Sequence, residues 1–328
     1  MADTNGRNKT GMDRNLALEA VRVTEAAALA AYRHMGQGDE EAADRAAVQA
    51  MQAALKTLPI DGLVSIGEGQ QGEVAHLYAG QKIGTGDGPN VDVALVPLEG
   101  SSIIARGGYN AVSVIALSEK GGFPQMPGIY MDKIAVGPGL PEGIVSIDAT
   151  PADNLTGLAE AKGVSVSDIV VCMLDRPRHK DLVLAVREAG ARIRLILDGD
   201  VSGAVAVARP ESGVDIYMGI GLAPQGVLAA AGLRAAAGQM QGRLVLRNND
   251  DREKALQAGV TDPDVRYTID DMTPGDVTFA ATGITTGPLL PGVQRNAVGP
   301  ITHSMVLRSR TGTLRFIEAH HHDRDETP

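Results

Sequence analysis

The run "VDVALVPL" (91–98) is apolar at nearly every position and rich in β-branched residues, which marks a strand. Shorter runs of the same kind predict strands at 62–67 ("GLVSIG") and 110–117 ("NAVSVIAL"). Upstream the period changes. Ala, Leu and Val recur at helical spacing through "LALEAVRVTEAAALAAYRHM", so residues 12–35 read as a helix ending near Gly36. A second helix covers 39–58, "DEEAADRAAVQAMQAALKTL", with acidic residues at the positive end of its dipole and Pro59 stopping it. Past a Gly- and Pro-rich break at 138–152 the chain alternates. Strand-like "GIVSI" is followed by helix "NLTGLAEAKG", strand "DIVVCML", helix "HKDLVLAVREAG", strand "RIRLIL" and strand "VDIYMG", then an Ala-rich helix at 226–238. Alternation of this kind predicts an α/β protein with sheets covered by helices, and no internal repeat is evident.

Composition narrows the picture. Of 328 residues, 44% are hydrophobic, yet Phe and Tyr number only 3 and 6 and Trp is absent, so the core is built from Ala, Val, Leu and Ile. A formal charge of −10 with few aromatics argues against nucleic acid as a partner. No apolar stretch reaches the length of a membrane span, and the polar start "MADTNGRNKTG" is no signal peptide. Cys172 is the single cysteine, in an apolar run. It excludes an intramolecular disulfide and a Cys-based zinc site, suits a cytoplasmic setting, and reads as a packing residue. Residues 1–11 and 319–328 read as disordered tails, with His320, His321 and His322 either an exposed tail or an adventitious metal chelator.

Candidate chemistry lies just after the strands, where open α/β sheets bind ligands. Glu68 follows the strand at 62–67. Glu99 and Ser101 follow the strand at 91–98. Asp198, Gly199 and Asp200 follow "RIRLIL", and Gln225 follows "VDIYMG"; Asp44 sits in the first turns of the second helix. Carboxylates and a hydroxyl at several strand ends suit a hard cation working on a phosphate ester.

These residues carry a resemblance. "MDRNLALEAVRVTEAAALAA", "VSIGEGQQGEVAHLYAGQKIGTGDG", "GIYMDKIAVGPG", "DRPRH", "LDGDV", "GIGLAPQGV", "GRLVLR" and "FAATGITTGPLL" each resemble, in the same order, a segment of the class II fructose-1,6-bisphosphatases. These are bacterial enzymes related to the cyanobacterial dual-function fructose/sedoheptulose bisphosphatases. The resemblance covers about residues 12–318. It implies a sugar-phosphatase fold, a layered αβαβα sandwich in two domains akin to inositol monophosphatases. On it, 12–145 is a metal- and phosphate-site domain and 146–318 a sugar-binding domain. A Mg²⁺ or Mn²⁺ cofactor and a homodimer or homotetramer are implied as well.

The resemblance also exposes departures. The family's Asp-Pro-Ile/Leu-Glu-Gly-Thr is here Val96-Pro97-Leu98-Glu99-Gly100-Ser101, so a metal-bridging aspartate becomes valine. A metal-binding glutamate becomes Gln225, a lysine near the phosphate becomes Glu40, and an acidic residue implicated in catalysis becomes Gly72. Asp44, Glu68 and Glu99 are left to hold one cation, weakly, with Ser101 and Glu68 as catalytic groups. Asp92 sits four residues before Val96 on the same strand face, about 13 Å away, too far to replace it; Glu73 is the other acid nearby. On the substrate side, Tyr130, Lys133, Arg176, Arg178, Asp198, Gly199 and Asp200 match positions that hold a phosphorylated sugar. Three functions are consistent with this pattern. The chain is a sugar-phosphate phosphatase, a pseudo-phosphatase that only binds its ligand, or an enzyme doing non-hydrolytic chemistry on a phosphorylated sugar.

Overall fold

The second helix shows how local pattern becomes packing. Asp39 caps it, accepting the Ala42 N–H at 2.8 Å, and Ala43, Ala47, Met51 and Leu55 recur at four-residue spacing, all buried. In the computed structural model, which describes residues 15–262 and 264–322, this helix is α2 (Glu40–Leu55) and packs against α1 (Leu16–Tyr32). The chain continues through β1 (Asp61–Ile66), β2 (Lys82–Ile83), β3 (Asn90–Glu99), α3 (Ser101–Arg106), β4 (Val112–Glu119) and β5 (Tyr130–Val136). Then come α4 (Pro151–Lys162), β6 (Val170–Leu174), α5 (Lys180–Glu188), β7 (Arg192–Ile196), α6 (Asp200–Ala206), β8 (Ile216–Leu222) and α7 (Ala223–Ala235). The last stretch holds β9 (Gln239–Val245), α8 (Asn249–Gln257), β10 (Tyr267–Thr268), α9 (Ile269–Met272), β11 (Val277–Gly283), β12 (Gln294–Arg295), β13 (Pro300–Arg308) and β14 (Thr313–His320).

Two mixed sheets result. The first has the order β12-β13-β11-β4-β3-β1-β2, with β14 pairing along β13; the second is β10-β9-β5-β8-β6-β7. Helices α1 and α2 bury one face of the first sheet against Val93, Leu95, Ile115 and Ala280. Helices α6 and α7 fill the space between the sheets, where Val96, Val114, Met131, Tyr217 and Phe279 share one core. Helices α4 and α5 cover the far face of the second sheet over Ile134, Val171 and Met173. Cys172 lies in the middle core with its thiol pushed up to about 12 by burial, so it packs and does not react.

Several expectations need correction. The expected boundary at 145 does not coincide with the change of sheet. β5 already belongs to the second sheet, and β11 to β14 return to the first. "GIVSI" is not a strand. Its backbone is engaged by side chains: Asn154 Oδ1 accepts the Ser146 N–H, while Gln241 accepts the Ile147 N–H and donates to the Val145 carbonyl. The strand expected at 110–117 starts at Val112, because Asn110 adopts a positive φ of 82°. The C-terminal tail is ordered further than expected, since Ala319 and His320 pair with Thr302 and Ile301. His320 Nε2 then meets Glu318 at 2.8 Å and His321 Nε2 meets Thr302 at 2.9 Å, so the two rings serve different partners. The expected tail 1–11 and residues 323–328 lie outside the described residues.

Candidate active site

β3 ends at Glu99, and Gly100 (φ 102°) turns the chain into α3, whose first residue is Ser101. The Glu99 carboxylate does not face solvent. Its Oε1 accepts the Val201 N–H at 2.7 Å and its Oε2 the Ser202 N–H at 3.1 Å, both from the first turn of α6. Burial pushes its pKa up to about 8, further raised by Asp198 and Asp200 and opposed by the two N–H donors.

Asp200 faces the same middle layer. It accepts Lys133 Nζ at 2.5 Å and the Tyr217 hydroxyl, and Lys133 Nζ also donates to the Leu222 carbonyl at 3.0 Å. Lys133 is 1% exposed and Asp200 7%. Both were expected at the sugar phosphate. The structure turns them on each other, in a buried pair that Tyr217 and the Leu222 carbonyl complete. Strand alternation is the reason. Met131 and Lys133 point into the middle layer, whereas Ile134 faces the outer core, and Tyr130 lies on the side of Ile134. Gly199 (φ 100°) is the left-handed turn between Asp198 and α6. A Cβ there would meet Asn110 Nδ2 at 2.5 Å, and that amide holds the Asp198 carbonyl at 3.1 Å. Asp198 itself is partly exposed. Its carboxylate is raised by burial and lowered by Arg176, with Asp200 and Glu40 raising it further.

Glu68 and Asp44 form a separate pair. Glu68 follows β1 in a loop pinned by its own N–H to the Leu77 carbonyl at 3.0 Å, and His76 in that loop meets Gln52 of α2 at 3.0 Å. Asp44 is on α2. Burial and then the Asp44 charge push Glu68 up to about 8, and burial raises Asp44 against the pull of Arg45. Among the described residues, no group of three His, Cys, Asp or Glu side chains stands ready to hold a metal ion. Asp44, Glu68 and Glu99 thus do not come together as such a group, and Glu99 is turned to the first turn of α6, whose N–H groups its two oxygens accept. Val96 packs in the middle apolar core, 8% exposed. Glu73 accepts the Gln70 N–H at 2.9 Å and Asp92 the Gly121 N–H at 2.6 Å, so both acids serve local turns. Gln225, in the first turn of α7, has a buried Oε1 with no hydrogen-bond partner, an unused lone pair.

The outer side of the second sheet holds the cations. Tyr130 pairs with Leu222 at the end of β8, and the Arg178 Cζ stands 4.8 Å from the Tyr130 ring centroid. Arg178 Nε donates to the Ile220 carbonyl at 2.8 Å. The neighbouring His179 is locked neutral. Its Nε2 accepts the Ile220 N–H at 2.7 Å, its Nδ1 donates to Leu174 at 2.7 Å, and burial lowers its pKa. Sequence reasoning missed Arg247, whose Cζ lies 4.3 Å from the same ring.

Residues 14–321 match the family described as bacterial fructose-1,6-bisphosphatase, glpX-encoded. The chain belongs to this family. A class 2 fructose-1,6-bisphosphatase of Escherichia coli (strain K12) is 40% identical, covering 95% of this chain and 96% of its own. The class 2 fructose 1,6-/sedoheptulose 1,7-bisphosphatases of two Synechococcus strains, JA-2-3B'a(2-13) and JA-3-3Ab, are each 39% identical over 94% of this chain and 96% of theirs. Family membership supports sugar-bisphosphate phosphatase chemistry.

Proposed function

We propose that the chain hydrolyses a phosphomonoester of a phosphorylated sugar, with a divalent cation, Mg²⁺ or Mn²⁺, held by Asp44 and Glu68. The observation that carries this is the pair itself: two desolvated carboxylates, the charge of Asp44 raising Glu68 and Arg45 offsetting Asp44. A small divalent ion is commonly bound by one or two carboxylates, with water and substrate phosphate completing its shell, so the donor set fits a single weakly held ion. Bound there, it would polarise the phosphoryl group and lower the pKa of a water. The chain's own residues supply the rest. Arg176, Arg178 and Tyr130 fix the sugar phosphate, Asp198 stands beside them for a sugar hydroxyl, and the Ser101 hydroxyl orients the attacking water. With no ion bound, Glu68 keeps its proton up to about pH 8, so ion and proton compete for it.

A second reading is favoured by Val96 and by the sealed Glu99: the chain binds the sugar phosphate without hydrolysing it. The packing order of helices and sheets supports reading the fold as the αβαβα sugar-phosphatase sandwich. The open edge of β14, with Leu314 42% and Phe316 53% exposed, supports a homodimer or homotetramer. A single cysteine in 328 residues supports a cytoplasmic setting; among the described residues no helix is long and apolar enough to cross a membrane. The test is free phosphate released from fructose 1,6-bisphosphate with and without Mn²⁺. Metal-dependent release is expected. No release, together with saturable thermal stabilisation by the sugar, selects the second reading, and neither effect removes both.

A further inference from the structure

Leu77 is the one large apolar residue, among the described residues, whose backbone takes the left-handed conformation, with a φ of 57°. A Cβ disfavours that region, and a bulky side chain rarely occupies it. Leu77 is held there from three directions. Its side chain is fully buried in the core beneath α1 and α2. Its N–H donates to Gln81 Oε1. Its carbonyl accepts the Glu68 N–H at 3.0 Å, and a Cβ at Gly67 would meet that same carbonyl oxygen at 1.9 Å, so the end of β1 lies directly against it.

Gln81 is itself anchored. Its N–H donates to the Tyr78 carbonyl at 3.0 Å, and its carbonyl accepts the Val64 N–H of β1 at 2.9 Å. Its backbone is thus fastened to the strand while its side chain reaches back to Leu77. The loop has a second brace on α2, where His76 meets Gln52, about two turns along the helix from Asp44. Strained backbone persists only where its surroundings over-determine it, and such positions cluster at functional sites. What this one holds is the backbone of Glu68, one member of the acid pair. An amide oxygen suits the task, because it accepts the Leu77 N–H without adding a charge near two desolvated carboxylates.

We infer that Gln81 is a positioning residue: through the strained Leu77 it fixes Glu68 in the arrangement with Asp44 that takes a divalent ion. This rests on the reading, given above, that the pair holds Mg²⁺ or Mn²⁺.

The test compares the wild-type chain with Gln81→Met, Gln81→Asn and Gln81→Glu by amide hydrogen exchange, calorimetric titration with Mn²⁺ and thermal melts. Methionine keeps the length of the side chain and removes the acceptor. Asparagine keeps an acceptor that is one carbon too short, and glutamate keeps both length and acceptor. In the wild type the Leu77 and Glu68 amides are expected to be protected together. In Gln81→Met and Gln81→Asn both should exchange about 10-fold faster, and Mn²⁺ should bind about 10-fold more weakly. Gln81→Glu should stay close to the wild type in both readouts. A Gln81 that only stabilises the fold would lower the melting temperature and leave Mn²⁺ affinity where it was, and that result overturns the inference. So does a wild type whose Leu77 amide exchanges freely, a result that needs no variant. If the wild type binds no Mn²⁺ while the two amides loosen together in Gln81→Met, the metal reading falls and the hold of Gln81 on Glu68 stands.

Discussion

The two sides of the site are built on different principles. On the second sheet, Tyr130, Arg178 and Arg247 hold their charges on an exposed surface, braced by Ile220 and Asp251 and open to a ligand. Between the sheets, Asp200 and Lys133 turn their charges on each other and on Tyr217, and the Glu99 carboxyl accepts two N–H groups of the first turn of α6. Asp44 and Glu68, by contrast, are desolvated acids offset by little more than Arg45. Tyr130 and Lys133 show the difference most simply, since they stand on opposite faces of β5, one toward the arginines and one toward the middle layer.

Breaking the buried pair should give the largest effect. Lys133→Met leaves Asp200 buried without its cation and should cost about 3–5 kcal/mol in urea unfolding. A loss close to zero would mean that Asp200 finds another partner and that the middle layer is more polar than described.

The titration of Glu99 comes next. Its folded pKa is about 8 against an ordinary 4.5, so the folded state holds a proton that the unfolded state releases. Stability is full below pH 4.5 and falls as pH rises towards 8, by a few kcal/mol at most. Glu99→Gln should flatten that slope in thermal melts at several pH values. It should also lose some stability at low pH, because its amide N–H₂ faces a backbone N–H donor. A wild-type melting temperature that rises over the same interval would show that Glu99 is ionised in the fold.

The acidic side can be sharpened by restoration. Val96→Asp with Gln225→Glu should tighten Mn²⁺ binding by about 10- to 100-fold, measured by calorimetry, and raise phosphate release. Without Mn²⁺ the double variant should melt lower than the parent, because Val96 sits in the apolar core. If Mn²⁺ binds no better, these two positions do not face the Asp44–Glu68 pair. The smallest effect belongs to Tyr130→Leu. It removes two cation–π contacts of about 0.5–1 kcal/mol each and should weaken sugar-phosphate binding several-fold while lowering the melting temperature only slightly.

Much of this was legible in the chain. The strand-end positions of Glu68, Glu99 and Asp198, the helix carrying Asp44, and the ordered segments from "MDRNLALEAVRV" to "FAATGITTGPLL" all pointed to one family before any coordinates. The pairing of Lys133 with Asp200 was not legible, because a motif groups neighbours along the chain while a strand sends Tyr130 and Lys133 to opposite faces. The surroundings of Glu99 were not legible either, because its partners are backbone N–H groups 102 and 103 residues away. Arg247 had a local signal that went unread: an Arg four residues before an Asp, with an Asn between them able to cap α8. The order of Ala319 and His320 could not be read locally, since β14 exists only by pairing with β13.

The most direct test of the central claim, that the grip on phosphorylated sugar persists apart from the cation cage, is titration with fructose 1,6-bisphosphate in the presence of EDTA. Saturable binding that Arg178→Gln abolishes and Glu99→Gln leaves intact is the predicted result. Binding that appears only when Mn²⁺ is restored, and that Glu99→Gln removes, would contradict it.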